Sequence, residues 1–317
     1  MKILVSTFPF AKLNILPFEI LSSLNVDFVV NPLNKKLTEK ELILLIQDVD
    51  ILIAGTERIS KKVIDAAPKL KLIARVGIGL DNIDLYYAKS KGIKITYTPD
   101  APAPAVAELT MGLILTCLRK IHLVNDDMHQ GQWNRYFGKR INHVKVGLIG
   151  AGRIGTRVIN HLEGFGVKEI YINDINPSRV KTKIKLNWVD KSYIYSNCDL
   201  ISLHLPLSSE TIGMIQYNEL LTFKSDAVLI NTSRGGIINE FDLYNHLKLN
   251  PSFTAAIDVF SIEPYTGNLS ELRNCILTSH MGSMSEDCRA QMEIEACKEA
   301  EFFIKKEPLR NLIPDFI

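Results

Sequence analysis

The chain alternates short, nearly continuous apolar runs with longer stretches whose apolar residues recur at helical spacing. In the N-terminal part the apolar runs are residues 2–5, 26–30, 50–54, 70–76 and 93–97, and helical patterns fall between them, notably at 38–47 and 60–66. Strands buried on both faces read as such runs, and their alternation with helices means a parallel sheet covered by helices. Residues 98–104, Thr-Pro-Asp-Ala-Pro-Ala-Pro, carry three prolines and cannot be regular helix or central strand, which makes them a candidate crossover between domains. A long helix is predicted from near Ala103, then a more polar one over 125–132 and a loop over 134–143 with four basic residues. Strand runs resume at 144–149, 170–172, 200–205, 227–231, 254–257 and 275–279, with a helix over 153–163.

Composition narrows the class. A chain of 317 residues can hold two domains, and 46% hydrophobic with 23% charged residues describes a globular protein. Thirty-seven basic against 35 acidic side chains leave +2, so no nucleic acid or anionic membrane is expected as partner. The most apolar stretch, residues 109–118, is too short to span a bilayer. The N-terminus lacks the long apolar region and cleavage site of a signal peptide, so a cytoplasmic location is expected. Five scattered cysteines without a C-x-x-C pair read as reduced thiols rather than disulfides or metal ligands, and no metal is expected.

The candidate chemistry begins where the run 144–149 meets Gly150, Gly152 and Gly155 in G-x-G-x-x-G spacing. Such a turn aims a helix N-terminus and its free N–H groups at a pyrophosphate. Asp174 ends the next strand run, where a carboxylate can hold the ribose hydroxyls of an adenosine and repel a 2′-phosphate, favouring NAD over NADP. Arg153 and Arg179 lie near enough to matter, but read as solvated surface charge. Loops after successive parallel strands open on one sheet edge, so Thr232, Ser233, Arg234, Asp258 and His280 should converge there. Hydride transfer to a carbonyl carbon needs a cation to hold the substrate and an acid at the oxygen. Arg234 can fork onto a carboxylate, His280 can supply the proton, and Glu263 can hydrogen-bond the other imidazole nitrogen and favour imidazolium. The bland alternatives are a loop charge for Arg234 and a simple turn for Glu263-Pro264. Of the seven histidines, His122, His129, His143, His161 and His246 read as surface or satisfied core groups, and His204 is the main decoy. Gly77 and Gly79 bracket a turn at a strand end; its amides suit a substrate carboxylate, and a plain change of chain direction fits equally well.

These pieces together resemble the D-isomer-specific 2-hydroxyacid dehydrogenase family, which includes D-3-phosphoglycerate dehydrogenase. The matching stretches are Arg75-Val-Gly-Ile-Gly-Leu-Asp-Asn-Ile-Asp, Ala105-Val-Ala-Glu-Leu, Gly147-Leu-Ile-Gly-Ala-Gly-Arg-Ile-Gly, Leu203-His-Leu-Pro-Leu with Thr211, Leu229-Ile-Asn-Thr-Ser-Arg-Gly-Gly, Ala256-Ile-Asp-Val-Phe with Glu263-Pro264, and Thr278-Ser-His-Met-Gly. The resemblance implies an α/β chain of two doubly wound parallel-sheet domains: a Rossmann NAD-binding domain (99–286) inserted in a flavodoxin-like substrate domain (1–98 and 287–317). It implies catalytic roles for Arg234, Glu263 and His280, and cofactor roles for Arg153, Ile154, Asp174, Pro206, Thr211, Thr232 and Asp258, with Ser233 and Gly282 beside them. Ile78 and Gly79 match the loop that holds the substrate carboxylate. The resemblance further implies NAD as cofactor, a small 2-hydroxy or 2-oxo acid as substrate, and a homodimer formed largely through residues 107–140, including Trp133. Two departures bear on substrate: Asp100 and Pro102 stand where phosphoglycerate dehydrogenases typically carry glycine and asparagine, and 317 residues leave no room for the regulatory domain many of them add. A sensor that binds NADH, with incidental turnover, is the alternative; intact Arg234, Glu263 and His280 favour an enzyme.

Overall fold

The computed structural model describes residues 1–176 and 180–314; Arg179 lies outside them. In chain order the elements are β1 (Lys2–Val5), α1 (Leu16–Ser22), β2 (Asp27–Val30), α2 (Glu39–Leu45), β3 (Ile51–Ala54), α3 (Lys61–Asp65), β4 (Leu72–Arg75), α4 (Leu85–Ser90), β5 (Lys94–Thr96), α5 (Ala103–Arg119) and α6 (Ile121–His129). They continue as β6 (Val146–Ile149), α7 (Arg153–Gly164), β7 (Glu169–Asn173), β8 (Lys185–Trp188), α8 (Lys191–Asn197), β9 (Leu200–Leu203), α9 (Tyr217–Thr222), β10 (Val228–Asn231), α10 (Glu240–Leu249), β11 (Thr254–Ile257), β12 (Cys275–Leu277) and α11 (Glu286–Lys305).

Two compact units result: Met1–Pro102 together with the segment from Met284 onward, and Ala103–Ser283 between them in sequence. The chain leaves the first unit a few residues after the expected position 98, because Tyr97 N–H donates to Asn311 O and Thr98 N–H to Gly77 O, tying the segment after β5 into that unit.

The first unit holds a five-stranded, all-parallel sheet in the order β2-β1-β3-β4-β5, the doubly wound order of flavodoxin-like folds. Leu4, Leu52, Ile73 and Ile95 on one face pack with Leu42, Val63 and Ala88 of α2, α3 and α4 and with Ile46 at the end of α2. The helix α2 starts where the sequence provides a capping box: Thr38 accepts from Glu41 N–H, and the Glu41 carboxylate accepts from Thr38 N–H.

The second unit holds a seven-stranded parallel sheet, β12-β11-β10-β9-β6-β7-β8. Counted from its own first strand this is the Rossmann order, with one strand added beyond β11. Period-two alternation divides its side chains between two cores. Val146, Leu148, Leu200, Val228 and Ile230 pack with Ile114 of α5 and Val158 and Ile159 of α7. Ile149, Ile201, Leu203, Leu229 and Ile257 pack with Ile194, Leu220 and Leu243 on the opposite face.

Three differences from the sequence reading have local causes. The polar helix expected at 125–132 is α6, which starts directly after α5, because Lys120 adopts φ +57° and breaks the helix without any glycine or proline to mark the place. The strand β8 was not legible: it is an edge strand, exposed or half-buried throughout, and lacks an apolar run. His246, expected as a surface or satisfied core group, is buried edge-on to Phe253 with Nε2 unpartnered, because the α10 face that carries it packs on Phe253. All five cysteines are buried and free, with burial pushing the Cys117 thiol up to about 12.

Candidate active site

The glycine turn lies at the carboxyl end of β6. Gly150 has φ +98°, and a side chain there would put Cβ 2.2 Å from the His204 carbonyl oxygen, so only glycine serves. Gly152 caps α7 without a side-chain cap, and nothing lies within 4 Å of where its Cβ would be. Arg153 and Ile154 supply the first turn, and Gly155 permits its close approach to the Gly150 carbonyl. The result is an uncapped helix start over an open cradle, a fit for a pyrophosphate. Asp174 follows β7, its carboxylate accepting from Ala151 N–H (2.6 Å) and Asn176 N–H (2.7 Å), so it stands beside the turn. After β9, Thr211 folds the loop back on itself, donating to Pro206 O (2.6 Å) and accepting from Ser208 N–H (2.8 Å).

His204 supports this turn from behind and is not placed as an acid. Its Nε2 pairs with the Ser202 hydroxyl at 2.9 Å, its Nδ1 is enclosed without a partner, and burial pushes the ring down to about 4. The folded state thus holds it neutral while an unfolded imidazole titrates near 6.5. Stability is therefore complete above that value and is lost as pH falls from 6.5 toward 4, by up to about 3 kcal/mol. Thermal melts across this window are expected to show the loss in the wild type and a flatter profile in His204→Asn; parallel profiles would rule the histidine out as its source.

The loops after β10, β11 and β12 form the second cluster. Asn231 ends β10 and folds the next residues: its Oδ1 accepts from Ser233 N–H (3.1 Å) and the Ser233 hydroxyl (2.7 Å), and its Nδ2 donates to Arg234 O (2.9 Å). The Arg234 guanidinium also donates to Ser233 O at 2.6 Å. Gly235 then lets two loops touch, since a Cβ there would fall 2.0 Å from the Phe260 carbonyl carbon. Phe260 N–H in turn donates to Glu263 Oε1 (3.1 Å), and His280 Nδ1 lies 3.0 and 2.8 Å from the two Glu263 oxygens. Arg234, Glu263 and His280 are thus linked through a short chain of contacts.

His280 has φ +52°, a left-handed conformation that costs a residue with a Cβ about 1–2 kcal/mol. Asp258, 1% exposed, holds it there. Its carbonyl accepts from His280 N–H (2.8 Å), Oδ1 from the Thr278 hydroxyl (2.6 Å) and Met281 N–H (2.9 Å), and Oδ2 from Gly282 N–H (3.0 Å). Asp258 and Gly282, expected as cofactor residues, are thus also parts of the turn that presents the histidine. Sequence reasoning missed Asn231 and Thr278. The first was findable, because an asparagine closing a strand often bonds the backbone two residues on; the second carried no signal.

In the other unit, the Ile78–Gly79 loop follows β4 and is gathered around Arg75. That buried guanidinium donates to Val76 O and, through Nε, to Gly79 O (3.1 Å), while Gly77 N–H donates to the Thr98 hydroxyl (2.8 Å). The carbonyls are turned toward the cation, an arrangement that suits amides facing an anion.

The segment after α6 is pinned by Asp127, which accepts from Tyr136 (2.6 Å), Asn134 (2.9 Å) and Arg273 (2.5 Å) and is held down to about 2 by these donors. Trp133 and Phe137 on this arm are exposed. Among the described residues no group of three or more His, Cys, Asp or Glu side chains could hold a metal ion, and no helix is long and apolar enough to cross a membrane.

Residues 111–282 match the family model described as the NAD binding domain of the D-isomer specific 2-hydroxyacid dehydrogenases. Among relatives, a hydroxypyruvate reductase from Thermotoga maritima is 36% identical over 269 residues, covering 83% of this chain and 87% of that protein. A D-3-phosphoglycerate dehydrogenase from Methanocaldococcus jannaschii is 35% identical over 87% of this chain; the match spans 54% of that longer protein. Among solved structures, the NAD+-bound 3-phosphoglycerate dehydrogenase of Entamoeba histolytica superposes with a TM-score of 0.81 at 26% identity, covering 100% of this chain and 99% of the other. On these matches the chain belongs to the D-isomer specific 2-hydroxyacid dehydrogenase family and is an NAD-dependent oxidoreductase of 2-hydroxy and 2-oxo acids.

Proposed function

We propose that the protein interconverts a small D-2-hydroxy acid and its 2-oxo acid, with Arg234 holding the substrate carboxylate and His280, paired with Glu263, moving the proton. The observation that carries this is the Glu263–His280 contact of 2.8 Å on the loop edge that also bears Arg234. When bound, NAD supplies the hydride acceptor, and NADH the donor, at the substrate's C2 carbon. His280 donates Nδ1–H to Glu263, which leaves Nε2 as the nitrogen that protonates the carbonyl oxygen in reduction and takes the hydroxyl proton in oxidation. The Glu263 carboxylate orients the ring, and Phe260 N–H keeps that carboxylate in place. The Arg234 fork fixes the oxo acid's carboxylate in two contacts and thereby the direction in which C2 faces.

A panel of glyoxylate, hydroxypyruvate, pyruvate and 3-phosphohydroxypyruvate, followed by NADH absorbance, tests the reading and sorts the substrate by size and phosphorylation. Turnover of at least one is expected. A silent panel with tight NADH binding would replace the enzyme with an NADH sensor.

We assign Asp174 to the adenosine ribose, so Asp174→Ala should narrow the preference for NADH over NADPH by about tenfold or more, through loss of both an acceptor and a repelling charge. Dissociation constants for the two cofactors measure it, and an unchanged ratio would move the ribose contact elsewhere. We further assign the exposed arm around Trp133 to a contact with a second copy of the chain. Trp133→Glu is then expected to give a monomer in sedimentation, where an unaltered mass would locate the contact on another face.

A further inference from the structure

Thr110 lies on α5 facing the end of β10, and its hydroxyl makes two contacts: 2.7 Å to the Val106 carbonyl oxygen and 2.8 Å to Thr232 Oγ1. A carbonyl only accepts, so the single hydroxyl hydrogen of Thr110 goes to Val106, the usual bond of a threonine inside a helix. Thr232 must then be the donor between the two hydroxyls. Its own hydrogen is committed, and its oxygen retains only lone pairs.

The surroundings share that polarity. A Cβ placed on Gly282 would lie 3.3 Å from Val106 Cγ2 and 3.2 Å from Asp258 Oδ2, so Thr232, Gly282 and the acceptor-only carboxylate of Asp258 gather around one turn of α5. Thr110 and Thr232 are both buried, which makes an unmatched polar group here costly.

We propose that Thr110 is a positioning residue for the cofactor: by consuming the hydroxyl hydrogen of Thr232 it makes this corner accept hydrogen bonds and not donate them, so that the nicotinamide carboxamide is held by its NH2 group and not by its oxygen. This rests on the proposed function: Thr232 and Asp258 are taken as cofactor residues, and because Asp258 holds the turn that carries His280, the part of the cofactor they meet is taken to be the nicotinamide end.

The test compares binding of NADH with that of reduced 3-acetylpyridine adenine dinucleotide, in which a methyl replaces the NH2, by fluorescence titration without substrate. The wild type is expected to prefer NADH by about tenfold, the worth of one buried hydrogen bond. In Thr110→Val, and equally in Thr110→Ala, Thr232 regains a hydrogen that can serve the acetyl oxygen, and the preference should fall to about threefold or less. Thr110→Ser should keep the wild-type ratio, and ADP-ribose should bind all four proteins alike. A ratio unchanged by Thr110→Val and Thr110→Ala, or lost in Thr110→Ser, overturns the proposal. Thr232→Val separates the two levels: a ratio unmoved by it removes the nicotinamide from this corner, whereas a ratio moved by Thr232→Val but not by the Thr110 variants removes Thr110 alone.

Discussion

Replacing His280 by alanine is expected to lower kcat for reduction of the best 2-oxo acid by about 10³-fold, within the usual worth of a positioned acid or base, while the NADH dissociation constant changes by less than about threefold. The separation follows from where the side chain sits. Its Nδ1 is committed to Glu263, its backbone is fixed in the left-handed region by Asp258, and the glycine turn proposed for the phosphates is built on a different strand. Glu263→Gln should lose less, about 10–100-fold, because an amide oxygen still accepts from Nδ1–H and orients the ring but no longer sets a full negative charge beside it. Turnover that survives His280→Ala would remove the histidine from the reaction.

Arg234→Met is expected to cost about 3–4 kcal/mol in kcat/KM for the oxo acid, a few hundred-fold or more, because a carboxylate loses a charged two-pronged partner. Most of the loss should be a raised KM, since the carboxylate is held in the ground state as well as in the transition state. Arg234→Lys should recover only part, because an ammonium keeps the charge and loses the fork. The cleanest readout is oxamate binding to the enzyme–NADH complex, weakened in proportion to KM; an unweakened complex would assign the carboxylate to other donors.

Both expectations depend on residues whose convergence was legible in the chain, and the reason is topological. In an all-parallel sheet every strand-to-helix loop opens on one edge, so locating strand ends located Asp174, Thr232, Arg234, Asp258 and His280 on that edge before any side chain was placed. The two strand orders needed more than periodicity, because runs such as Ile51–Ala54 and Leu200–Leu203 are alike in pattern and differ only in their neighbours. What stayed hidden was the wiring between loops. Thr278 reaching Asp258, Glu240 holding Ser261 N–H at 2.6 Å and Thr110 meeting Thr232 join residues far apart in sequence through contacts that no spacing rule encodes. Asn231 was missed as well, although its bonds are local and its place at a strand end could have revealed them. Lys120 shows the converse: a left-handed lysine breaks a helix with nothing in its residue type to announce it.

The central claim is that Arg234 and His280 act on one bound oxo acid, and a double-mutant cycle on kcat/KM with Arg234→Lys, His280→Gln and the combined variant tests it directly. Groups that grip and protonate the same molecule are coupled, so the combined loss is expected to fall short of the product of the single losses by about tenfold or more. Losses that multiply within about twofold would mean that the two side chains work independently, and would contradict a shared site.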